Sequence, residues 1–232
     1  MAQRLHAAAL HPGAVEHYED ALAYERRYAS RTEDVQFYCR RARGSPHVLE
    51  YGAGAGRLTL ALGRQGASVL AVDSSARMVE LLRRRLRVEA REVRDRVRAM
   101  KGDMRRFSTS RRFDLVLAGF HTVCHLYSFD DMRAFLRRVW THLHPGGRLV
   151  FDVPLPRIDM PDYDPLAQVR VTKMYAGETS QLLTQRWYQP QEILMHLAYA
   201  GFVQGRLRAD FGNEPIGPDT SVVCVFATKP KH

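Results

Sequence analysis

A chain of 232 residues, 45% hydrophobic and 26% charged, suits one globular domain that buries a central sheet under helices on both faces. No apolar run is long enough to span a bilayer. Three separated cysteines, Cys39, Cys124 and Cys224, form no C-x-x-C pair and indicate neither a disulfide framework nor a zinc site. The formal net charge of +10 invites a nucleic-acid reading. Much of that charge lies in 83–112, where thirteen Arg or Lys meet four acids. No aromatic residue interleaves the run before Phe107, so platforms for stacking bases are missing. A solvated charged face is the favoured reading, with a polyanion-binding face as the alternative. The N-terminal MAQRLHAAALHPG lacks the pattern of a secretory signal, which predicts a cytoplasmic protein with no membrane association.

Residues 1–45 read as one or two amphipathic helices carrying Tyr18, Tyr24, Tyr28 and Tyr38, a cap that packs beside a sheet or closes as a lid. From 46 onward strand and helix alternate. Strands are expected at Val48–Glu50, Ser68–Val72, Val97–Met100, Phe113–Ala118 and Arg148–Val153. Helices are expected at Arg57–Gln65, Ala76–Arg91 and Asp130–Leu143, the last capped by Asp130 and closed near Pro145-Gly146-Gly147. Such alternation predicts an α/β fold, Rossmann-like and doubly wound, with right-handed crossovers. Four prolines make 154–166 a loop, and 169–175 with 180–188 read as a short antiparallel pair. A helix over 190–200 starts at Pro190 and ends at Gly201, before two closing strands within 202–211 and 221–230. The main domain is therefore 46–232, with 154–188 inserted on its substrate side.

Ligands of doubly wound sheets bind outside the carboxyl ends of the strands, where several marked residues fall. VLEYGAGAGRLTL sets Gly52, Gly54 and Gly56 in a strand-to-helix turn, which lets a ligand approach bare backbone. Arg57 stands where the dinucleotide fingerprint needs its third glycine, so the nicotinamide version fails. Asp73 closes the second strand and can accept two bonds from a ribose diol; its bland alternative is a helix N-cap, a role open to Ser74. Asp103 ends the third strand, placed to accept from an exocyclic amine while the Met104 amide meets a ring nitrogen. Gly102-Asp103 is equally a favoured turn pair. Glu50, buried at the end of strand one, is costly unless a ligand ammonium or a held water pairs with it.

Taken in order, VLEYGAGAGRLTL, VLAVDSSARMVELL, GDMRRF, FDLVLAGFHTVCHL, LHPGGRLVFDV and the closing pair of strands resemble a class I S-adenosylmethionine-dependent methyltransferase of the bacterial small-molecule type. The resemblance implies a seven-stranded, mostly parallel sheet with an antiparallel C-terminal strand, and S-adenosylmethionine as cofactor. It places Glu50, Gly52, Ala53, Gly54 and Gly56 at the methionine part, with Asp73, Ser74 and Met78 at the ribose side. Gly102, Asp103 and Met104 fall at the adenine, and Gly119 and Phe120 border the cofactor. The insertion 154–188 is shorter than usual in this family, which leaves the acceptor open.

His121, after strand four, is the candidate general base, with a pocket-lining polar role as the alternative. Tyr24, Tyr28, His121 and Asp152 are the candidate substrate contacts, with a purely structural role in VFDVP as the alternative for Asp152. No cluster at metal spacing is present, and no metal is expected. The expected function is methyl transfer to O or N of a small-molecule acceptor, in a monomer or homodimer. The alternatives are an RNA or protein methyltransferase that uses the Arg-rich face, and a non-catalytic cofactor-binding subunit.

Overall fold

Strands made of unbroken apolar runs need cover on both faces, and Leu115–Ala118 is such a run. The computed structural model describes residues 18, 20–156, 162–164, 167–176 and 179–231. The first seventeen residues of the expected cap, and 157–161, 165–166 and 177–178 of the insertion, lie outside them. Helices α1 (Ala21–Tyr28) and α2 (Glu33–Ala42) precede β1 (His47–Tyr51), α3 (Arg57–Arg64), β2 (Ser68–Asp73), α4 (Ala76–Arg87), α5 (Arg91–Arg96) and β3 (Val97–Lys101). Then come β4 (Phe113–Ala118), a 3-10 turn (Thr122–His125), α6 (Phe129–His142) and β5 (Leu143–Pro154). Three short strands follow, β6 (Tyr163–Asp164), β7 (Val169–Ala176) and β8 (Thr179–Arg186). The described chain closes with α7 (Pro190–Tyr199), β9 (Val203–Ala209) and β10 (Val222–Thr228).

The main sheet has the order β3-β2-β1-β4-β5-β10-β9. Its first five strands run parallel, and β10 runs antiparallel to both β5 and β9. The strand order reverses between β1 and β4, and that switch point opens a crevice for ligand. One face of the sheet packs on α6 and α7 through Phe135, Leu136, Val139, Ile193 and Leu197. The other packs on α2 and α3 through Phe37, Tyr38, Leu58 and Leu62. Strands β6, β7 and β8 form a separate antiparallel sheet, one strand more than expected.

Three boundaries differ from the sequence expectation. The long Arg-rich helix ends at Arg87, not Arg91. The amides of Val88 and Glu89 bond the carbonyls of Arg85 and Leu86, which tightens the last turn, and Glu89 swings to the Arg64 guanidinium. Helix α6 is capped by Ser128, not Asp130. Ser128 and Asp131 form a reciprocal capping box, with the Asp131 amide 3.1 Å from Ser128 Oγ. Strand β5 begins at Leu143, because Pro145-Gly146-Gly147 bulges out between the pairs Phe113–Leu143 and Leu115–Arg148 and pairing resumes beyond it.

Candidate active site

The glycine turn joins β1 to α3 and is tied to β2 by one carboxylate. Gly54 donates its amide to Asp73 at 2.8 Å, and Ser75 donates to the other Asp73 oxygen at 2.8 Å. The N-cap of α4 is Ser75, whose hydroxyl accepts from the Met78 amide. Capping therefore falls to neither Asp73 nor Ser74, which is exposed alongside. Gly52 and Gly54 have φ of +67° and +54°, where side chains are strained. A Cβ on Gly52 would come within 2.2 Å of Thr122 Oγ1, whereas one on Gly54 would meet nothing within 4 Å. Gly54 thus faces open space.

Glu50 is buried in the same wall and accepts from Thr59 Oγ1 at 2.6 Å. Burial pushes its carboxyl up to about 8, with Thr59 and then Arg57 working against that rise. The partner expected from a ligand is thus supplied first by the fold. Glu50, Gly52, Ala53, Gly54, Gly119 and Phe120 line a cleft of about 170 Å³, together with Tyr24, Tyr28, Tyr38, Asp34, Arg57 and Arg85. Gly56 sits below the turn, against Leu82.

Arg57 lines this cleft as well. Its guanidinium holds both oxygens of buried Asp34, one at 2.7 Å, bonds the Arg31 carbonyl at 2.6 Å and lies 5.1 Å over the Phe120 ring. The sequence marked Arg57 only as a missing glycine. Its partner Asp34 lies 23 residues upstream, beyond any local motif.

Helix α1 crosses the mouth. Tyr24 and Tyr28 stand 4.8 Å apart, and Tyr28 stands 4.8 Å from Phe120. Tyr18 bonds His125 at 2.6 Å, and Arg27 bonds the Tyr175 carbonyl of β7 at 2.6 Å. Met78 is buried under this helix with Ala21 and Ala55. It packs the cap onto α4, which corrects the cofactor contact implied for it.

At the expected adenine end the residues are engaged with one another. Both Asp103 oxygens are taken by Arg105, through its amide at 2.9 Å, Nε at 2.9 and 3.0 Å and Nη2 at 2.7 Å. Arg105 also reaches Asp131 at 2.7 Å. Burial would raise the Asp103 carboxyl, but Arg105 outweighs it and holds the group below the usual range. Gly102 is packed against Phe107 and Val72, and Met104 leans on the core. None of the three lines the cleft, and neither do Asp73 and Ser74, which stand beside it through the Gly54–Asp73 bond.

Past β4, Phe120 and His121 both have positive φ, +55° and +59°. Buried Asp152 holds this turn, accepting from the amides of Phe120 at 2.8 Å and His121 at 3.0 Å and from the Tyr38 hydroxyl. His121 Nδ1 lies 2.9 Å from the same carboxylate. Burial would raise the Asp152 carboxyl, yet His121 and Tyr38 together hold it below the usual range. With no exposed surface and every side occupied, Asp152 is an internal anchor, which corrects its expected contact with substrate. His121 stands one residue beyond the lining, its ring 5.7 Å from that of Phe120.

Among the described residues no group of three His, Cys, Asp or Glu is placed to hold a metal ion, and no helix is long and apolar enough to cross a membrane. Residues 48–147 match the family model for a methyltransferase domain. A cypemycin N-terminal methyltransferase from Streptomyces sp. is 34% identical over 109 residues, 47% of this chain and 42% of that protein. A demethylmenaquinone methyltransferase from Tropheryma whipplei is 30% identical over 169 residues, 67% of this chain and 65% of that one. The chain thus spans less than two thirds of the length of either relative. Among solved structures, the CcbJ methyltransferase from Streptomyces caelestis superposes with a TM-score of 0.75 at 22% identity, over 86% of this chain and 96% of that one. The sheet order, the glycine turn and the domain match agree: residues 48–147 resemble a methyltransferase domain, and the chain has the fold of the CcbJ methyltransferase.

Proposed function

We propose that the cleft binds S-adenosylmethionine and that the chain methylates a nitrogen or oxygen of a small-molecule acceptor in bacterial secondary metabolism. The observation that carries this reading is the bare peptide at Gly54, open to the cleft and tied to Asp73. The residues present fit the cofactor. The methionine end has both an ammonium and a carboxylate; Glu50 offers an acceptor to the first, and Arg57 and Arg85 bring positive charge to the same lining. Asp73 retains lone pairs beyond its two amide bonds, enough for a ribose hydroxyl. When bound, S-adenosylmethionine supplies a sulfonium methyl carbon. The chain's own work is to orient the acceptor under Tyr24, Tyr28 and Phe120, to exclude water, and to accept an acceptor proton at His121. The likeness to a cypemycin N-terminal methyltransferase makes an amine the first acceptor to test.

Calorimetry with S-adenosylhomocysteine and NAD side by side tests the cofactor. Binding is expected with the first and none with the second; the reverse result would sink the reading. Asp73→Ala should weaken S-adenosylhomocysteine at least about tenfold, the worth of one good charge-assisted hydrogen bond, with the circular dichroism spectrum kept. Unchanged affinity in a folded variant removes the ribose assignment.

A further inference from the structure

Asp152 faces α2 from β5, and its surroundings exceed what anchoring a turn requires. Two backbone amides and the Tyr38 hydroxyl would already satisfy a buried carboxylate. The fourth neighbour is the ring of His121, whose backbone is held at φ +59°, a conformation that costs a non-glycine residue free energy. Tyr38 is itself buried, its ring so close to Gly119 that a Cβ there would approach within 2.8 Å. The Nδ1 to Oδ2 distance is 2.9 Å, but the ring is turned so that an in-plane Nδ1–H misses the straight line to the oxygen. The separation is already that of a hydrogen bond and only the angle is lacking, as in catalytic pairs that align only when substrate arrives. The described residues give Nε2 no hydrogen bond, and the side chain keeps 16% exposure beside Phe120, which lines the cleft.

We propose that Tyr38 and Asp152 are positioning residues that hold His121 as its Nδ1–H tautomer, leaving the Nε2 lone pair to receive the acceptor's proton. This rests on the methyl-transfer reading. The N–H bond of an ammonium acceptor, or the O–H bond of a hydroxyl acceptor, breaks; its proton passes to Nε2, and the bonding pair stays on the acceptor atom as the lone pair that would take up the methyl group. The imidazolium so formed is balanced by Asp152, and the proton leaves through the exposed part of the ring. The other groups around the pair are the thiols of Cys124 and Cys224, both made harder to ionise by burial and by Asp152, and the guanidiniums of Arg31 and Arg57, 4.9 and 5.1 Å over Phe120. Burial also keeps the Tyr38 phenol protonated, so it remains a donor.

The test is nitrogen-15 NMR of labelled histidine side chains in the cofactor-free protein, with His121→Gln for assignment. The neutral ring should carry its proton on Nδ1. Tyr38→Phe returns charge to Asp152, so the apparent pKa of His121 should rise by roughly half to one pH unit, and Asp152→Asn should lower it. The base limb of the pH-rate profile should move the same way. A ring protonated on Nε2, or identical titration in wild type and Tyr38→Phe, overturns the proposal. If Asp152→Asn does not fold, Tyr38→Phe decides alone. Failure to bind S-adenosylhomocysteine would overturn the methyl-transfer reading and with it the base role. The NMR result would still decide whether Tyr38 and Asp152 set the tautomer.

Discussion

Glu50 and Thr59 are nine residues apart, and Gly54 and Asp73 nineteen. Across the cleft the separations are of another order: 114 for Tyr38 and Asp152, 107 for Tyr18 and His125, 146 for Tyr28 and Met174. The β1–β2 end is built from backbone geometry and short loops, which close at little entropic cost. The β4–β5 end is assembled from side chains on α1, α2, β5 and β7 that meet only once the whole chain has folded. The first end therefore tolerates change elsewhere in the chain, and the second is exposed to change anywhere.

Gly52→Ala breaks this comparison hardest, because it lies where the two ends touch. The new Cβ meets Thr122 at 2.2 to 2.9 Å in an already left-handed backbone. Thr122 is pinned by its own bond to the Gly119 carbonyl at 2.8 Å. A loss on the order of 3 kcal/mol in chemical denaturation is expected, partly restored by adding Thr122→Ala. A loss no larger than that of Gly54→Ala would show that the two ends do not press on each other there. Gly54→Ala has open space and should cost only about 1 kcal/mol of backbone strain, yet it should weaken S-adenosylhomocysteine more than its stability loss suggests.

Glu50→Gln sharpens the picture of the β1 end. The Glu50 carboxyl is raised in the folded state to about 8, so folding favours its protonated form. The stability this contributes is full below the unfolded value near 4.5 and is lost as pH rises through about 8. Glu50→Gln should therefore melt higher than wild type at pH 8, by on the order of 3 kcal/mol, and near wild type at pH 5. A variant less stable at both pH values would mean that the bond from Thr59 outweighs burial.

The same contrast explains what the sequence disclosed. The α/β alternation, the glycine turn and the acids at the carboxyl ends of β1 and β2 are legible, because each is a local pattern whose geometry follows from neighbours in the chain. In the sequence Asp103 reads as an open acceptor, because Arg105, two residues on, belongs to a charged run. Nothing in the spacing said that it would fold back. Asp152 leaves both roles open in the sequence for the opposite reason: VFDVP shows a carboxylate in an apolar strand, but Tyr38 sits in a helix far upstream. Its side chain follows Val150 onto the face that meets α2, and period-two alternation along β5 could have placed it there. Arg57 carries only the glycine-motif signal in the sequence, because Asp34, its ion-pair partner, lies 23 residues away on α2.

A smaller effect than that of Glu50→Gln is expected where α6 meets β1. His142, the last residue of α6, bonds the Tyr51 hydroxyl of β1 through Nδ1 at 3.0 Å, and its Nε2 is buried with no partner among the described residues. Burial, with help from Arg138 and Arg112, lowers the imidazole from 6.5 to about 4. Folding thus favours the neutral ring. The stability it contributes is present above the unfolded value near 6.5 and is lost as pH falls toward 4, on the order of 2 kcal/mol in all. Thermal unfolding of His142→Gln should depend less on pH than that of wild type between 6.5 and 4. An unchanged slope would place the acid sensitivity of this fold in its carboxylates, Asp152 among them, and would leave the Tyr51–His142 contact as packing between the two halves.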